Sequence, residues 1–298
     1  MPTRLSIAMI RIVSTTLVIS PHLDDAALSL GGAIAAWART GRVVIATVYT
    51  TGPPLETVPR SMRKFADYTT RRAEDRAAVA LLGAGIEIVW LDRIERAFRT
   101  PMLAGRQFFT TPADRAGFST LAEVGAAIAP LLSPAPDRIA LPFGIGNHVD
   151  HVEALIAASD AIAARGLVDR TVFYEDFYAL SAPMRRAHWV VRRERWRPWQ
   201  APLLRARRLA SLLSGIAAAR RGPPLETLLA PVWQRALWQV ERIALGPDDE
   251  ATKLRAIEAY GSQTRAFGGL VGIDRALRAY HAWWGGAEPL WRPTVAAT

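Results

Sequence analysis

Ile12-Val13-Ser14-Thr15-Thr16-Leu17-Val18-Ile19 runs directly into Ser20-Pro21-His22-Leu23-Asp24-Asp25, and then into the Ala- and Leu-rich stretch Ala26 to Arg39. The first eight residues are β-branched or apolar almost throughout, the composition of a strand buried on both faces. Proline breaks the run, and one imidazole and two adjacent carboxylates follow before helical composition begins. In an open α/β sheet, ligands bind beyond the carboxyl ends of the strands. Two acids and a histidine at such a point are costly to bury unless a metal or a reaction uses them. The stretch predicts a strand, a chemically equipped turn and a helix, and so half of a metal site.

The same alternation continues outward. Gly31-Gly32 inside the first helix permits close packing, Gly41 ends it, and Arg42 to Thr50 (RVVIATVYT) reads as a second strand. Gly52-Pro53-Pro54 opens a loop to about Met62, a candidate rim for substrate. Thr70 to Leu82 reads as a helix stopped by Gly83 and Gly85, and Ile86 to Leu91 as a third strand ending at Asp92. Arg93 to Gly117 reads as loop with short helical pieces. Leu121 to Leu132 is a helix, Arg138 to Pro142 a fourth strand, Val152 to Arg165 a helix and Thr171 to Tyr174 a fifth strand. This order predicts an α/β fold with a Rossmann-like, mostly parallel sheet and helices on both faces. Residues 1–298 read as one domain. Within it, 183–246 reads as a helical Arg/Trp-rich insertion, Pro247 to Tyr260 as a helix with acids at its front, and the Trp- and Gly-rich tail as a cap.

Composition narrows the chemistry. The 298 residues contain no cysteine, which excludes disulfides, thiolate zinc sites and cysteine nucleophiles, so a metal here must use His, Asp, Glu or water. The net charge of +10 rests on arginine, with lysine only at Lys64 and Lys253. The Arg- and Ala-rich usage of GC-rich bacterial genomes accounts for that charge; the alternative is an anionic partner. Eleven arginines from Arg185 to Arg221 face one acid, Glu194, with Trp189, Trp196 and Trp199 among them. That segment admits three readings: a solvated amphipathic surface, a patch for an anionic or lipid-linked substrate, or sequence-independent nucleic-acid binding. No specific nucleic acid is expected. Arg4, Arg11 and the serine and threonines of the first 20 residues argue against a signal peptide, and no later run is long enough to span a bilayer. A cytoplasmic protein, peripheral to the membrane at most, is expected.

The missing half of the site lies after the fourth strand, in Phe143-Gly144-Ile145-Gly146-Asn147-His148-Val149-Asp150-His151. Of five histidines in the chain, two occupy this motif. Joining the ends of strands one and four assembles His22, Asp25 and one or both of His148 and His151. Two imidazoles and a carboxylate with open positions suit catalytic zinc and equally the facial triad of non-haem iron. Asp24 would stand beside the metal as a general base. The plainer alternative for the first motif alone is a polar turn whose acids cap the helix. His188 and His281 read as surface or structural residues, and Trp283-Trp284 as packing.

Pro21-His22-Leu23-Asp24-Asp25 with Gly31-Gly32, together with His148-Val149-Asp150-His151, resembles the PIG-L (LmbE-like) de-N-acetylase family, whose motifs read P/A-H-P-D-D-E and H-x-D-H. Arg71-Arg72-Ala73-Glu74 is similar to the family's R-x-x-E helix, and Lys253 to Gln263 to its last helix and S-Q turn. Leu23 and Ala26 stand where the family has proline and glutamate. The resemblance implies an LmbE-like fold and zinc held by His22, Asp25 and His151, with Fe2+ the alternative metal. It implies Asp24 as base and then proton donor to the leaving amine, His148 as the group that polarises the acyl carbonyl, and Asp150 as the residue orienting His148. Arg71 and Asp92 match substrate-binding positions. The implied activity is hydrolysis of an N-acyl, chiefly N-acetyl, group on an amino-sugar conjugate. The alternatives are a metal amidase for a non-sugar or thiol-conjugate amide, and a basic binding protein that keeps the fold without catalysis.

Overall fold

The computed structural model describes residues 14–103, 105–177, 182–193, 223–265 and 269–295. Seven strands form one sheet: β1 (Thr15–Ser20), β2 (Arg42–Thr51), β3 (Ile86–Ile94), β4 (Arg138–Pro142), β5 (Thr171–Tyr174), β6 (Leu237–Ala244) and β7 (Ala287–Thr294). The main helices are α1 (Asp25–Ala38), α2 (Tyr68–Leu82), α3 (Leu121–Ile128), α4 (Val149–Ala163), α5 (Pro247–Glu258) and α6 (Leu270–Trp283). Strand order is β3-β2-β1-β4-β5-β7-β6. The first five are parallel, and β7 pairs antiparallel with both β5 and β6.

Alternation along each central strand sorts the core into two layers. Leu17 and Ile19 of β1, Ile139 and Leu141 of β4 and Phe173 of β5 face α3, α4 and α6. Val18, Ala140 and Val172 face α1, α2 and α5. Burial on both faces explains why these strands read as unbroken apolar runs. The chain leaves β1 toward β2 and returns on the other side at β4, so the switch point lies at the carboxyl ends of these two strands, where the two histidine motifs begin.

Two expectations change. The stretch 183–246 is not simply a helical insertion, because it ends in β6, a strand of the main sheet. The tail is more than a cap, since it contributes β7 between β5 and β6. At the start of the Arg/Trp segment Arg185, His188 and Trp189 are buried, while Arg186 and Arg192 are exposed. Arg185 pairs with Glu175, and His188 Nε2 lies 3.1 Å from the Phe143 carbonyl. His188 and His281 are both structural, with His281 Nδ1 2.9 Å from Glu250. The remainder of that segment, 194–222, lies outside the described residues, as do residues 1–13. No helix among the described residues is long and apolar enough to cross a membrane.

Lys253, on α5, is buried rather than facing solvent. Its Nζ lies 2.6 Å from Glu288 Oε1 on β7 and donates to the Ser29 carbonyl of α1 at 3.3 Å. Glu288 accepts in turn from the N–H groups of Gly32 and Ala33, at 3.2 and 2.7 Å. The pair thus packs against the backbone of α1 between Ser29 and Ala33. Gly31 is required because a Cβ there would lie 2.8 Å from Lys253 Cγ.

Candidate metal centre

Each motif is delivered by a strand and fixed by a helix start. After β1, the turn at Pro21 places His22 so that its own N–H donates to Asp25 Oδ2 at 2.9 Å. Asp24 occupies the N-cap position of α1 without a side-chain capping bond, so the plain capping alternative does not describe it. After β4, left-handed conformations at Gly144, Gly146 and Asn147 (φ 68, 86 and 59°) turn the chain back sharply. His148 then caps α4, its Nδ1 accepting the Asp150 N–H at 3.3 Å. One turn along, His151 points into the same space.

The result is a convergence on one oxygen. Asp25 Oδ2 lies 3.1 Å from His22 Nδ1 and 3.1 Å from His151 Nε2. The rings of His22, His148 and His151 are mutually 5.1 Å apart, centroid to centroid, and one nitrogen from each falls within a 4.8 Å cluster. Asp24, Asp25, His22 and His151 are all buried. Burial alone would raise Asp25, but His151 and His22 hold it well below the usual carboxylate range. Burial and the charge of Asp25 push Asp24 up to about 6. Against the effect of burial, Asp25 and Asp176 carry His151 up to about 9. Burial, reinforced by His22 and His151, drives His148 down to about 3, so its imidazole is neutral. Because Nδ1 accepts from Asp150 N–H, the ring proton of His148 sits on Nε2, where it can be donated.

This donor set fits a divalent cation. Two buried imidazoles share a carboxylate oxygen, and His, His and Asp are the residues catalytic zinc and non-haem iron use.

The Asp150 carboxylate faces His22. Its Oδ2 lies 3.3 Å from His22 Nε2, and the carboxylate accepts from the Arg96 N–H at 2.9 Å and from Arg99 Nη2 at 3.0 Å. Despite burial, His22, His148 and Arg99 hold it at about 2. Arg71 and Asp92, the two expected substrate contacts, part company. Arg71 is buried, with Nη1 2.5 Å from Glu95 and 2.9 Å from the Phe65 carbonyl. Asp92, at φ 54°, is largely exposed and pairs with Arg72. Glu74 of the same helix accepts from Ser262 N and Oγ at 2.7 and 2.6 Å, tying the R-x-x-E helix to the S-Q turn.

Sequence reasoning missed Glu95, Arg99, Glu153 and Asp176. Glu153, one turn beyond Asp150 and Val149 on α4, binds Arg99 and Tyr49 at 2.8 Å each. Asp176 puts Oδ1 2.6 Å from His151 Nδ1. It stands two residues past β5, so the strand-end rule that singled out His22, Asp92 and His148 would have found it too. Leu23 packs with Val58, Tyr68 and Phe98, and Ala26 with Leu30 and Ile34, so both departures from the family motif sit in apolar surroundings.

Residues 17–162 match the family described as GlcNAc-PI de-N-acetylase, PIG-L. This part of the chain is similar to the PIG-L family. The matched span takes in both histidine motifs and the R-x-x-E helix, while α5, the S-Q turn and β7 lie beyond it. Over 163 residues the chain is 29% identical to 2'-N-acetylparomamine deacetylase of Streptomyces fradiae, which covers 54% of this chain and 56% of that protein. The likeness of fold extends further than the sequence match. The zinc-inhibited form of the teicoplanin deacetylase Orf2 superposes over 95% of this chain and 99% of its own, with a TM-score of 0.63 at 19% identity. The A40926 pseudoaglycone deacetylase Dbv21 covers 95% and 98% with a TM-score of 0.61, also at 19% identity.

Proposed function

We propose that this chain is a zinc-dependent hydrolase that removes an N-acetyl group from an amino sugar carried on a larger conjugate. The observation that carries the reading is the approach of His22 Nδ1 and His151 Nε2 to the same oxygen of Asp25, 3.1 Å each, beside a buried acid poised near neutrality. His22, Asp25 and His151 would hold the metal. When bound, zinc lowers the pKa of water to about 7 and polarises a carbonyl.

The chain's own groups do the rest. Asp24 accepts a proton from water as it attacks the amide carbon, then delivers that proton to the nitrogen as the C–N bond breaks. A carboxyl at about 6 is matched to both tasks. His148, neutral and protonated on Nε2, donates to the acyl oxygen as negative charge develops there. Products are acetate and the free amine. The deacetylases named above act on 2'-N-acetylparomamine, teicoplanin-pathway compounds and the antimicrobial A40926 pseudoaglycone, which supports an antibiotic-like amino-sugar conjugate over a simple sugar.

The test is a screen of N-acetylglucosamine conjugates, nucleotide-, lipid-, inositol-, aminoglycoside- and glycopeptide-linked, read by release of free amine. Zinc should be titrated from below one equivalent to excess, because one structural neighbour was captured in a zinc-inhibited form. Release of amine that depends on zinc and is lost in Asp24→Ala supports the reading. Stoichiometric zinc without hydrolysis of any amide would overturn it.

A further inference from the structure

Asp176 lies outside the PIG-L match and outside every motif of the sequence. It is almost wholly buried at 1% exposure, and its two oxygens have different partners. Oδ1 faces His151 Nδ1 at 2.6 Å, and Oδ2 accepts the Ile145 N–H at 2.8 Å. A carboxylate only accepts hydrogen bonds, so His151 carries a proton on Nδ1. Its Nε2 is thereby turned toward Asp25. The Ile145 bond ties the same carboxylate to the loop that delivers His148.

His22 is arranged in the same way. Its Nδ1 faces Asp25, and its Nε2 faces Asp150. Each imidazole that approaches the shared oxygen is thus held from behind by a buried acid. One of these acids is in the H-x-D-H motif, and the other is 25 residues away from His151. Second-partner carboxylates fix the tautomer of a metal-holding imidazole and raise its basicity, and losing one usually costs 10–100-fold in affinity.

Resting on the reading of His151 as a ligand, we infer that Asp176 is a positioning residue that fixes the His151 tautomer and strengthens Nε2 as a donor to the metal. The experiment compares wild type, Asp176→Asn and Asp176→Ala in the full chain. Zinc affinity is measured by chelator competition, ligand field by the d–d bands of the cobalt-substituted protein, and folding by urea unfolding without metal. Asp176→Ala should bind zinc about 10–100-fold more weakly and shift the cobalt bands. Asp176→Asn, which keeps one acceptor but not the charge, should fall between, and it decides the matter if the alanine variant does not fold. Variants that lose metal-free stability but keep wild-type zinc affinity and cobalt bands overturn the inference and leave Asp176 as a structural residue. Wild-type protein that takes up no zinc overturns the proposed function itself.

Discussion

Asp24 and Asp25 are neighbours with the same side chain and opposite fates. Two imidazoles hold Asp25 ionised, while burial beside that charge holds Asp24 up at about 6. Asp24→Asn should cut kcat by roughly 10²–10⁴, the usual worth of a positioned base, while zinc content stays at the wild-type level. His148→Ala should lower kcat by roughly 10²–10³, the cost of one oxyanion donor, with a smaller change in KM. Steady-state kinetics beside metal analysis checks both. At this scale the sequence was informative where chemistry is packed into a short motif, as in HLDD and HVDH. It was uninformative for Glu95, a single acid whose meaning comes from chains that meet only in the fold. The resemblance gave Asp150 the task of orienting His148, and it did not reveal that His22 arrives from β1 to meet the same carboxylate.

Among elements, α1 to α5 and β1 to β5 could be read because their apolar periods are clear. β6 and β7 could not. β6 alternates half-buried and exposed residues, as an edge strand does. β7 contains Pro289 and Pro293, which argue against a strand inside a sheet; both fall outside the two residues, Leu290 and Trp291, that pair with β5. The buried pair gives one prediction here. Lys253→Met leaves the Glu288 charge without its cation and should destabilise the fold by about 3–5 kcal/mol, measured by urea unfolding. Asp75 gives another. Burial raises its carboxyl to about 6, although Trp90 Nε1 and Tyr260 OH donate to it at 2.8 Å each. A raised carboxyl favours the folded state while protonated, so its contribution is full below pH about 4 and is lost as pH rises through about 6. That loss is about 3 kcal/mol at 1.36 kcal/mol per pH unit. Asp75→Asn should flatten the dependence of unfolding free energy on pH across this window.

At the scale of the molecule, the site belongs to the switch point between β1 and β4, and metal should therefore report on the whole fold. Zinc at one hundred times its Kd should stabilise the chain by about 2.7 kcal/mol. A thermal melt should rise with zinc, fall back with chelator, and respond to neither in His151→Ala.

The ion pair packed against α1 also sets an order of events in synthesis. Ala33 leaves the ribosome 255 residues before Glu288, the acceptor of its N–H. At ~5–20 residues per second, α1 waits roughly 10 to 50 s for Glu288. Its paired glycines, weak helix formers, are uncovered throughout that interval.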